Sequence, residues 1–173
     1  MENNEYIEFE INNTDKFKDL IKLLDLISES KKSGDYKSDD FWLKKFPNYT
    51  LKCYYFRDSD SKPELETSDS NNGIWHFYSM VQHLVENIDI EFLECKQIED
   101  GKGRLEFSAC GYPYGGITGL TTFLKSFDFK ALKIDEGGGI YNVKWKNNTE
   151  FEFIEIKDKN DSWLRKIKSA LGL

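Results

Sequence analysis

Arginine is nearly missing from this sequence: Arg57, Arg104 and Arg165 are its whole complement among 24 basic residues. Acids number 31, so the chain carries a net charge of −7, with an isoelectric point near 5.0. Neutralising phosphates supplies most of the affinity of nucleic-acid binders, which therefore display a basic patch. Here lysines alternate with acids along nearly every segment, and no nucleic-acid partner is expected. An acidic surface suits solubility, or association with a basic protein.

Cysteine is sparse as well. Cys53, Cys95 and Cys110 are odd in number and widely spaced, unlike a disulfide framework or a zinc cluster. They are expected to be buried, reduced thiols in a cytoplasmic protein, with neither metal nor cofactor. The opening Met1-Glu2-Asn3-Asn4-Glu5 has no positive or apolar region of the kind a secretory signal needs. No apolar run approaches the length that spans a bilayer, so no membrane association is expected.

What is abundant is aromatic: 15% of the 173 residues, within 39% hydrophobic and beside 32% charged. Rings in that quantity belong in a core beneath a charged surface, and the length suits a single domain spanning 1–173.

Patterning along the chain places the elements. Ile7, Phe9 and Ile11 alternate on one face of a strand at 6–11. Asn13 or Thr14 caps a helix with Phe17, Leu20, Ile21, Leu24 and Ile27 at helical spacing, ending by Gly34. A short helix capped by Ser38 carries Phe41, Trp42 and Phe46 and stops at Pro47. A strand is predicted at 50–57, followed by an acidic, low-complexity loop at 58–73, read as mobile. Its Asp58-Ser59-Asp60-Ser61-Lys62 start is not a calcium loop, because Lys62 and Pro63 replace a ligand and the required glycine. A helix over 74–87 has Phe77, Val81, Leu84 and Val85 in its apolar stripe.

Strands at 89–99 and 104–111 form a hairpin around Asp100-Gly101-Lys102-Gly103. The second strand runs through Gly111-Tyr112-Pro113-Tyr114-Gly115-Gly116 into a helix capped by Thr118, with Leu120, Phe123, Leu124 and Phe127 along it. Strands at 129–135, 140–146 and 150–156 make a meander. A final helix holds Trp163, Leu164, Ile167 and Leu171. The order predicts an α+β fold: a largely antiparallel sheet with helices on one face, compatible with a ferredoxin-like core or a duplicated one.

Candidate sites are few. His76 and His83 are the only histidines, seven residues apart on the predicted helix. Two turns separate them by about 10 Å, too far for joint zinc ligation. They could flank a ligand groove. Gly137–Gly139 precedes a strand, so it reads as a hairpin turn and not as a phosphate cradle. The corner at 111–116 has the better context, with a strand before it and a helix after. Gly115 and Gly116 permit close backbone approach, and Thr118 with the helix-start amides could receive an anion. No Lys-Ser/Thr pair follows, which excludes a nucleotide-binding P-loop. Tyr112 and Tyr114 flank a proline and offer amphipathic rings for a protein contact. Acids are dense at Glu91, Glu94, Glu99, Asp100 and Glu106, and alternation puts some of them on the outer face of the central hairpin as a negative patch.

These features point to a non-enzymatic protein-binding domain: a bacterial immunity protein that neutralises a cognate basic toxin or nuclease domain by covering it. The partner-binding residues would be Tyr112, Tyr114, Glu91, Glu94 and Glu106. The alternative is a small-ligand-binding protein or enzyme using the 112–118 corner, with Gly115, Gly116, Thr118, His76 and His83 at its site.

Overall fold

A computed structural model describes residues 4–63, 75–109 and 116–156. Its centre is a six-stranded, wholly antiparallel sheet in the order β4-β5-β1-β6-β7-β8. Strand β1 (Glu5–Glu10) lies in the middle and joins two separately built pieces. On one side is the hairpin of β4 (Ile90–Glu99) and β5 (Lys102–Ala109). On the other is the meander of β6 (Ala131–Asp135), β7 (Ile140–Trp145) and β8 (Phe151–Glu155). The α+β class and the helix-backed antiparallel sheet follow the sequence expectation.

Period-two alternation sorts the sheet into two faces. Pairing sets Ile7 against Leu105 and Ile134, and Phe9 against Gly103 and Ala131, so these residues share the inner face. Gly103 is needed there, since a Cβ would sit 2.5 Å from the Phe9 ring. Helix α1 (Thr14–Ser33) is capped by Asn13, whose side chain accepts from the amides of Asp15 and Lys16. Gly34, at φ 66, ends it in the left-handed conformation that favours glycine. Its buried stripe of Phe17, Leu20, Leu24 and Ile27 joins one core with the inner sheet face. Leu120, Phe123 and Leu124 of α5 (Ile117–Ser126) complete that core. Stacked rings hold its centre, with Phe9 and Phe129 centroids 5.6 Å apart and Phe46 edge-on to Phe77 at 5.0 Å.

Three local expectations are corrected. The predicted strand at 50–57 is a short helix α3 (Asn48–Leu51), set up by α2 (Asp39–Lys45), and only Tyr54–Tyr55 is strand β2. Its apolar residues fall on consecutive as well as alternate positions, so period two did not distinguish strand from helix, and Pro47 starts α3. The predicted helix at 74–87 is divided. Trp75–His76 is strand β3, parallel to β2, followed by α4 (Phe77–Val81) and a π-helical turn over Gln82–Glu86. Finally, Thr118 does not cap α5. Gly116 does, at φ 58 and ψ 35, and Thr118 lies inside the helix with its carbonyl accepting from the Thr122 hydroxyl. The predicted last helix at 160–171 and most of the acidic loop lie outside the described residues.

The Gly137–Gly139 segment is a hairpin turn between β6 and β7, closed by the Glu136 amide on the Gly139 carbonyl. No described helix is long and apolar enough to cross a membrane.

Candidate functional site

With the described helices joined to one core, the opposite face of the sheet carries mainly polar side chains, with Tyr6 and the exposed Ile154 among them. Register sets Glu94 directly across from Glu106, and Glu91 across from Ser108. All three acids therefore lie on the outer face, Glu91 and Glu94 together only because a bulge at Leu93 shifts the alternation by one residue. Like charges opposed across a ladder repel, and Lys96 lies between them, bonded to Glu94 and 3.4 Å from Glu106. These carboxylates hold the Lys96 ammonium above its ordinary pKa, the bond to Glu94 contributing most. On the neighbouring strand Arg104 bonds Glu8 at 2.6 Å and lies 4.4 Å above the Tyr6 ring, which Lys133 approaches at 5.8 Å. At the far end Glu152 takes Lys146 at 2.9 Å and Lys144 at 3.4 Å. Solvated ion pairs of this kind add little stability.

Glu91 lies nearest the β4 edge. There it lines a cleft of about 230 Å³ with Lys31, Tyr36 and Ile88. Ile88 is 82% exposed and Tyr36 49%. Burial pushes the Lys31 ammonium down, and Glu91 partly opposes that shift. Tyr112, Tyr114 and Gly115 lie outside the described residues.

The histidines do not share a helix face, because the element carrying them is broken at His76. His76 has extended backbone and caps α4, its Nδ1 accepting from the Ser79 amide at 3.3 Å. The Ser79 hydroxyl reaches the same nitrogen at 3.0 Å, and Nε2 lies 2.7 Å from Asp60 Oδ2. An acid–histidine–serine chain in this order invites comparison with a nucleophilic triad. The nitrogen facing the serine, however, is already engaged by the Ser79 amide at the helix start. We therefore read the cluster as a cap and tether: His76 starts α4, while Asp60, which also accepts from the Arg57 amide at 2.6 Å, holds the chain before it. These contacts set the Asp60 carboxyl below its ordinary pKa, the His76 bond contributing most.

His83, on the π-helical turn, packs into α5. A Cβ on Gly116 would fall 2.0 Å from its ring, and one on Gly119 2.6 Å away. Trp75 lies on its other side, ring centroids 6.2 Å apart. The structure thus brings His83 and Gly116 together, but the imidazole itself occupies the space the glycines leave. Its Nε2 is buried with no hydrogen-bond partner among the described residues. Burial pushes its pKa below the ordinary value; a hydrogen bond with the Gly116 backbone opposes the shift and Lys31 adds to it.

Sequence reasoning set Ser79 near the histidines but missed Asp60, Trp75 and Gly119. The His76-to-Ser79 spacing, cap to third helical residue, was a usable signal. Asp60, sixteen residues before His76, left none. The thiols also depart from expectation: Cys53 is exposed and Cys95 half-buried, both free, while Cys110 lies outside the described residues. Among the described residues no three His, Cys, Asp or Glu side chains gather as a metal site. No family model, curated protein or solved structure matches the chain.

Proposed function

We propose that this chain is a non-enzymatic protein-binding domain that meets its partner with the outer face of the six-stranded sheet. Within that class we read it as a bacterial immunity protein, acting in the cytoplasm on a basic toxin or nuclease domain. The observation that carries the reading is the opposed pair Glu94 and Glu106 on a face that the described helices leave open. Two carboxylates held at ladder spacing repel each other, and Lys96 is the cation bonded between them. A lysine or arginine from a partner would add a second counter-charge in a setting made drier by the contact, where attraction strengthens. Tyr6, framed by Arg104 and Lys133, supplies an aromatic anchor at the same face. The chain's net charge of −7 speeds encounter with a basic target.

The succession β1-α1-β4-β5-α5-β6, with those strands ordered β4-β5-β1-β6, also supports reading a ferredoxin-like core to which β7 and β8 are added.

The test is affinity capture from the native host, with the captured protein identified and then purified. We expect a basic toxin or nuclease domain. The double substitution Glu94→Lys with Glu106→Lys should weaken its binding by a factor of ten or more, about 1.4 kcal/mol, with the melting temperature nearly unchanged. Equal affinity of the variant for that protein would overturn the outer-face reading.

A further inference from the structure

A second feature lies on the helix side of the molecule, away from the acidic face. Between α5, the chain just after α3 and the turn joining β7 to β8 is a cavity of about 260 Å³. It is larger than the ~150 Å³ cavity known to take up a benzene ring. Its lining includes Lys52, Cys53, Thr122, Lys125, Trp145 and Phe151. We propose that this cavity binds a small aromatic anion, such as an aryl carboxylate or aryl phosphate.

The apolar part of the argument is the wall made by Trp145 and Phe151, whose ring centroids are 4.9 Å apart. Both rings are only half-buried. Trp145 is fixed by its indole N–H, which donates to the Ala131 carbonyl at 2.9 Å. A rigid ring beside a second tilted one is suited to taking a planar guest edge-on or offset. The charge argument is independent of it. In a chain of net charge −7, the described residues that line this cavity include two lysines and no acid. Asp128 is shared between Lys125 at 3.1 Å and Lys16 at 3.4 Å, and the Glu150 carboxylate beside the wall accepts from the Asn147 side chain at 2.9 Å. Two lysines thus stand beside an aromatic wall, Lys125 paired with Asp128 and Lys52 without an ion pair among the described residues. The Thr122 hydroxyl donates to the Thr118 carbonyl, so its lone pairs are directed outward as acceptors. A ligand with one acidic hydroxyl as well as its anionic group would use them.

The probe is phenyl phosphate, added to the full chain and followed by amide NMR shifts and by protection of Cys53 from alkylation. Cys53 reports on occupancy because it is exposed and lines the cavity. We expect saturable shifts confined to residues 52–53, 122–126 and 145–151, with slowed alkylation of Cys53. Benzylamine, with the same ring and the opposite charge, should leave both signals unchanged, as should inorganic phosphate, which lacks the ring. Lys52→Glu changes an exposed side chain outside the core, so the fold tolerates it, and it should weaken phenyl phosphate roughly fivefold or more. The proposal is overturned if phenyl phosphate gives no saturable shift, if benzylamine matches it, or if Lys52→Glu binds it as wild type does.

Discussion

Gly103, Gly116 and Gly119 each leave room for one particular ring. Adding a methyl at Gly103 drives Phe9 out of a position where it is fully buried and stacked on Phe129. Gly103→Ala should therefore cost about 1–3 kcal/mol in urea unfolding, the usual penalty of overpacking. An unchanged midpoint would show that the Phe9 ring has another place to go. His83 gives a pH signature at the same scale. Its folded-state pKa is depressed below the unfolded value of about 6.5. The unfolded chain then binds the proton more readily, so the stability His83 contributes is present above about pH 6.5 and is lost as pH falls through the folded value. Comparing unfolding free energies of wild type and His83→Gln between neutral and mildly acidic pH should show a smaller decline in the variant. Parallel declines would contradict the burial account.

The elements show where sequence patterning succeeds. Strand β1, helix α1, the β4–β5 hairpin and the β6–β8 meander were legible because each combines strong periodicity with its own stop signal. Asn13 and Gly34 bracket α1, and the glycines at 101 and 137 turn the hairpins. The segments 50–57 and 75–87 were not legible, because tertiary contacts decide them. His76 is extended so that its ring can meet Asp60 and its Nδ1 can start α4. Neither contact leaves a periodic trace. Of the candidate site, alternation put only some of the hairpin acids on the outer face; Glu91 and Glu94 share it through the bulge at Leu93, and Tyr6 and Arg104 needed the register of β1 against β5. Two caps can be tested together. Asn13→Ala should cost about 1 kcal/mol. His76→Ala, which removes both a cap and the Asp60 tether, should cost more than Asn13→Ala does. Chemical denaturation orders them, and the reverse order would contradict the tether.

For the whole molecule, the consequence of the topology is a division of labour between two faces. The middle strand binds a hairpin and a meander into one sheet, and the described helices join a single core with its inner face. The outer face carries ion-paired side chains around Tyr6, and the proposed partner contact rests on that asymmetry. Carboxyl-selective labelling read by mass spectrometry, on the free chain and on its complex with the captured partner, tests it most directly. The account predicts that Glu94, Glu106 and Glu152 on the outer face lose labelling in the complex, while Asp15 and Glu29 on α1 keep theirs. Protection of Asp15 and Glu29 with the outer-face acids still labelled would contradict it.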